Sequence, residues 1–151
     1  MNLPFRPLQQ PPGSNSCLPT CVRAMLSWHG QKVSPNQVSE WCREEADGCE
    51  FFLALQSLQA EGFDVVEVQD EEALLEMLDG EDPEPVVVMI RTPSMSPSTD
   101  HAVVIHGIEP QETALLIDYM DPLDGLNHRD ATGLLLRWWD LNGSRGFVIR
   151  P

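Results

Sequence analysis

An α+β fold in two lobes is predicted from three features of the chain. Helix signals fill its first half. Short, strongly apolar runs of strand length fill its second half. The connections between those runs are brief and polar, which suits a self-contained sheet rather than alternating β-α units. With 151 residues, one domain spanning 1–151 is expected. A chain of this length buries a core without needing staples.

Residues 1–14 carry Pro4, Pro7, Pro11 and Pro12 and read as an extended lead-in. The strongest signal follows, in Gln9–Gly30, QQPPGSNSCLPTCVRAMLSWHG. Asn15 or Ser16 is expected to cap a helix that begins at Cys17. Pro19 falls in its first turn, where N–H groups lack helical partners anyway. Cys21, Ala24, Met25 and Trp28 form an apolar stripe at helical spacing, and Gly30 ends the helix. Ser34-Pro35 starts a second helix with Val38, Trp41 and Cys42 as its apolar face. Asp47-Gly48 breaks it, and residues 50–61 form a third helix stopped at Gly62.

Asp64–Val68 reads as a short strand. Glu71–Leu78 is a helix whose leading glutamates suit the positive end of its dipole. Gly80–Pro85 is a polar turn. Pro85–Ile90, Ala102–Ile105 and Ala114–Ile117 are apolar strands, separated by loops at 91–100 and 109–112. Leu134–Leu141 is a short helix and Gly146–Ile149 a last strand.

The net charge of −15, with Lys32 the single lysine, argues against nucleic acid and against an anionic membrane surface. It is compatible with a basic substrate or with plain solubility. No apolar run approaches the ~20 residues of a membrane span. The first residues lack the basic start and apolar centre of a signal peptide, so a cytoplasmic location is expected. Cys17, Cys21, Cys42 and Cys49 then do not read as a disulfide framework. Their spacing lacks the close pairs of a structural zinc site, and neither a metal nor a cofactor is expected. Cys42 and Cys49 read as small buried apolar residues.

Cys17 is the candidate nucleophile, because a helix N-terminus favours a thiolate. Cys21, one turn later on the apolar stripe, reads as core. A nucleophilic cysteine needs a base and a group to orient that base. His29 lies at the far end of the same helix, ~17 Å away and out of reach. His101 opens an apolar strand after a Pro/Ser/Thr loop, where a side chain can point into a cleft. His106 lies at the other end of that run, and His128 is in a loop and stays open. Asp118 and Asp121 both qualify as the orienting carboxylate, with Asp124 a third choice. Trp138 and Trp139 read as core and rim.

These residues carry a resemblance. Gln10, Cys17, Cys21, Met25, Trp28 and Gly30 follow the helix pattern of the C39 group of papain-like cysteine peptidases, the bacteriocin-processing domains, and the wider C39-like family. His101-Ala-Val-Val-Ile, then Asp121-Pro122, then a closing Gly146–Ile149 strand are similar to the family's later half. The resemblance implies a papain-like fold, with the nucleophile helix packed on a C-terminal antiparallel sheet. It implies Cys17 as nucleophile, His101 as general base, Asp121 as its orienter, and Gln10 with a backbone N–H near Cys17 as the oxyanion hole. Gln9 and Asn15 are alternative oxyanion donors. Leu18 and Ser16 differ from the residues usual on either side of the family's cysteine. The substrate so implied is a peptide or isopeptide bond. Acyl transfer, glutamine deamidation and a non-catalytic binding module are the alternative functions.

Overall fold

Helix α1 (Cys17–Trp28) is the structural axis of the N-terminal half in the computed structural model, which describes residues 4–92 and 100–151. Residues 1–3 of the expected lead-in and 93–99 of the expected loop at 91–100 lie outside the described residues. The stripe of α1 is buried as its spacing requires: Cys21 and Met25 are fully buried, Ala24 nearly so, and Trp28 packs at the margin. Its end is closed by Gly30 at φ +84°, with Gly30 and Gln31 N–H groups donating to Ser27 and Leu26 carbonyls. Its start differs from expectation, because no side chain caps it. The Ser16 hydroxyl donates to Glu44 Oε2 at 2.8 Å, and Asn15 Nδ2 donates to the Ala46 carbonyl at 3.1 Å. Both polar groups tie the helix start to the turn after the next helix.

That helix, α2 (Pro35–Trp41), is capped by Ser34 accepting from the Gln37 N–H. The next, α3 (Phe51–Ala60), is capped by Glu50, which accepts from Phe52 and Leu53. Strand β1 (Asp64–Glu67) leads to α4 (Glu71–Asp79), capped by Asp70 accepting from Ala73.

The remaining elements are β2 (Val86–Ile90), β3 (His101–Pro110), β4 (Leu115–Asp121), β5 (Leu126–Asp130), α5 (Leu134–Leu141) and β6 (Gly146–Arg150). One antiparallel sheet takes the order β1-β6-β2-β3-β4-β5. Strand β1, from the helical half, thus closes the sheet beside the last strand. The adjacent inner strands β2 and β6 are buried almost throughout, which is why they read as continuous apolar runs. Helix α1 packs on β3 and β6, and α5 packs on β2.

Two strands are longer than expected. The hairpin between β3 and β4 is closed by Gln111 donating to the Ala114 carbonyl, so the loop expected at 109–112 lies at 111–114 instead. Strand β5 was expected as loop. Its sequence, LNHRD, has no apolar period because it is a largely exposed edge strand, held by its ladder to β4.

Candidate active site

Cys17 is the first residue of α1. With the Ser16 hydroxyl turned to Glu44, the first-turn N–H groups of this helix are not taken by a side-chain cap. Pro19 has no N–H to leave unpaired.

His101 is the first residue of β3, and Asp121 the last of β4. The register pairs Val104 with Met120, which sets His101 diagonal to Asp121 across the ladder. His101 Nε2 lies 2.7 Å from Asp121 Oδ1. The Cys17 thiol lies near enough to the same imidazole to act on its charge, and both side chains line one cleft. With Nε2 on the carboxylate, Nδ1 is the nitrogen left for sulfur. Asp121 Oδ1 also accepts from the Leu123 N–H at 2.9 Å, so its orientation is fixed within its own turn.

The electrostatics follow from these contacts. Burial disfavours the charged form of His101. The hydrogen bond of Asp121 and the negative charge of Asp121 and Cys17 outweigh it and push the imidazole up to about 9. Burial would likewise raise Asp121, but His101 and the Leu123 N–H hold its carboxyl below the ordinary range. The other thiols go the opposite way. Burial pushes Cys21 and Cys42 well up, and burial with the nearby Glu44 charge pushes Cys49 up to about 12.

Gln10 is 5% exposed. Its Nε2 donates to the Ser14 carbonyl at 2.8 Å, and its Oε1 is buried with no hydrogen-bond partner among the described residues. The segment that carries it lies along β4 and β5. Asn127 Nδ2 donates to the Phe5 carbonyl at 2.9 Å, Leu8 N–H points to Met120 Sδ at 3.3 Å, and Gln10 N–H donates to the Pro122 carbonyl at 2.8 Å.

Cys17, His101, Asp121 and Gln10 line one cleft of about 580 Å³. Of the alternatives, Asn15 lines it with one amide N–H on the Ala46 carbonyl, and Gln9 does not line it. Asp118 is paired with Arg129 Nε at 2.9 Å, away from the cleft. His106 is the bulged residue of β3, stacked on Phe5 with Nε2 3.1 Å from Asn127 Oδ1. His128 lies on β5, 2.7 Å from Asp124 and stacked on Tyr119. His29 sits edge-on to Trp28 at the far end of α1.

Other residues of the cleft wall add to or refine the sequence reading. Tyr119, two residues before Asp121, reaches the cleft from β4. Cys49, read as a buried spectator, is half-buried and lines the cleft. Of the two tryptophans, Trp139 is core, while Trp138 lines the cleft. The i, i+2 spacing of Tyr119 and Asp121 was the one available signal. Among the described residues, no three His, Cys, Asp or Glu side chains are grouped to hold a metal ion, and no helix is long and apolar enough to cross a membrane.

Comparison with known proteins adds a family. The model of the Peptidase_C39 like family matches residues 2–143. No curated protein matches the chain. Solved structures do. The peptidase domain of Streptococcus ComA, a bi-functional ABC transporter involved in a quorum-sensing pathway, is similar at TM-score 0.72 and 17% identity, over 97% of this chain and 98% of that one. A double glycine motif protease from an AMS/PCAT transporter, in complex with the leader peptide, is similar at TM-score 0.73 and 16% identity, over 99% and 94%. The ComA peptidase domain of Streptococcus mutans is similar at TM-score 0.64 and 13% identity, over 97% and 100%. They share the fold: helices packed on an antiparallel sheet, of the papain-like kind.

Proposed function

The chain belongs to the Peptidase_C39 like family, and from that premise we propose that it is a cysteine peptidase acting through Cys17, His101, Asp121 and Gln10. The observation that carries this reading is the His101 imidazole, held on one nitrogen by Asp121 at 2.7 Å and sharing one cleft with the Cys17 thiol.

In this mechanism Cys17 Sγ has given its proton to His101 before substrate arrives, and the sulfur, paired with the imidazolium, attacks the scissile carbonyl carbon. A C–S bond forms and the carbonyl π pair moves onto oxygen. A second N–H of Gln10 Nε2, together with a first-turn N–H of α1, stabilises that oxyanion. The tetrahedral species collapses, the C–N bond breaks, and the imidazolium protonates the leaving amine. Water, deprotonated by His101, then cleaves the thioester and returns the thiolate. Asp121 stays ionised throughout; it holds the ring and stabilises the imidazolium. The leader peptide bound by the double glycine motif protease suggests a peptide segment lying extended across the cleft as substrate.

The pH–rate profile tests this. The mechanism uses the imidazolium as acid, and His101 is pushed up to about 9. Peptide hydrolysis (kcat/KM) should therefore hold through neutral pH and fall as pH rises through about 9. A profile that instead climbs through 6.5 and stays high would mean a neutral, unpaired histidine and would contradict the assignment.

A further inference from the structure

The turn that joins β4 to β5 does two things at once. At its start, Asp121 holds His101. Its interior is closed by the Gly125 N–H donating to the Asp121 carbonyl at 2.9 Å. Its outer side is the bed on which the N-terminal segment rests. The Pro122 carbonyl accepts from the Gln10 N–H at 2.8 Å, and the Leu123 carbonyl accepts from Gln9 Nε2 at 3.4 Å.

The closest approach is at Gly125. A Cβ there would meet Gln9 Cβ at 2.5 Å, Gln9 Cα at 3.1 Å and Gln9 Cγ at 3.2 Å. The residue also holds φ +68°, in the left-handed region. No side chain fits this site unless Gln9 moves, and Gln9 is bonded to Gln10.

We propose that Gly125 is a positioning residue for the oxyanion donor: by letting Gln9 lie directly on the turn, it sets where the Gln10 amide stands relative to Cys17. This rests on the cysteine-peptidase reading above. It adds that one turn aligns both the base, through Asp121, and the oxyanion donor, through Gly125.

The direction in which an added methyl would push follows from what holds each side. The turn is anchored by five register pairs between β4 and β5 and by the β3 ladder behind them. The segment at 8–10 is held to β4 and the turn by one contact per residue, Leu8 to Met120, Gln9 to Leu123 and Gln10 to Pro122. The segment therefore yields and the turn stays. His101 and Asp121 keep their pairing while the Gln10 amide leaves its place.

The test separates a reaction that builds an oxyanion from one that does not. In acylation by p-nitrophenyl acetate, sulfur attacks the ester carbonyl, the oxygen takes the π pair, and p-nitrophenolate leaves. In alkylation by iodoacetamide, sulfur displaces iodide at a methylene carbon and no oxyanion forms. Gly125→Ala should slow acylation of Cys17 by about tenfold to a hundredfold, the scale of a displacement of roughly 1 Å. Alkylation should stay within about twofold. Adding Gln9→Gly to Gly125→Ala removes the two clashing side-chain carbons and should recover most of the lost acylation rate.

Unchanged acylation in Gly125→Ala would overturn the proposal. So would a loss of both reactions together, which is what general unseating of the turn by backbone strain would produce. Failure of Gln9→Gly to rescue would overturn it too. Failure of the underlying reading looks different: the wild-type Cys17 itself would not be acylated.

Discussion

Cys17→Ala is expected to lower peptide hydrolysis by on the order of 10⁴-fold or more, because removing a nucleophile leaves only binding and the oxyanion donors to act. Cys21→Ala, one turn further on, should stay within a few fold in kcat/KM. The contrast is a strong one because the two sulfurs sit on the same helix. Cys17 opens it in the cleft, half-buried, while Cys21 is fully buried in the core. Burial, with the negative charge of Cys17 and Asp121 around it, pushes the Cys21 thiol well up, so it cannot replace Cys17 as a thiolate. Steady-state kinetics on the two variants check this. Activity surviving in Cys17→Ala and lost in Cys21→Ala would reverse the assignment.

The second large effect is at His101. His101→Ala should cost about 10³–10⁴-fold in kcat/KM, through loss of both the base and the acid of the cycle. Combined with Cys17→Ala it should cost little more than either change alone, since the two groups act as a unit. Asp121→Asn should cost less, on the order of 10²-fold. It should also move the alkaline limb of the pH profile downward. The sign follows from the contacts: Asp121 raises His101 against the effect of burial, so removing its charge lowers the imidazole from its wild-type value. Rate profiles of the wild type, His101→Ala and Asp121→Asn on one peptide measure all three effects.

Much of the architecture was legible because each element announces itself locally. The α1 stripe, the Ser34-Pro35 start, the Gly30 and Gly62 stops and the apolar runs of β2 and β6 need only near neighbours to be read. Strand β5 was not legible, because an exposed edge strand of polar residues carries no hydrophobic period. That omission kept Asp118 open as an alternative to Asp121 in the sequence. Arg129, which occupies Asp118, lies on β5 and could not be seen as its partner. The alignment of His101 with Asp121 also depends on the β3–β4 register, which is a property of the ladder and not of either strand. The helix start misled for a related reason. Ser16 and Asn15 look like caps, but their polar groups reach Glu44 and Ala46, about thirty residues on. The same two bonds draw the 44–49 turn to the cleft and bring Cys49 to its wall. Gln9 and Asn15 stayed open as alternatives to Gln10 in sequence, and the place of Gln10 beside the turn after β4 comes from contacts more than a hundred residues apart.

The most direct measurement is the order in which the four cysteines react. Limiting iodoacetamide at about pH 6.5, followed by peptide mass mapping, should label Cys17 first and nearly alone. Cys21, Cys42 and Cys49, all pushed up by burial, should stay unmodified in the folded protein. In His101→Ala the Cys17 rate should drop. Labelling of Cys49 ahead of Cys17, or a Cys17 rate indifferent to His101, would contradict a thiol activated by the His101–Asp121 pair.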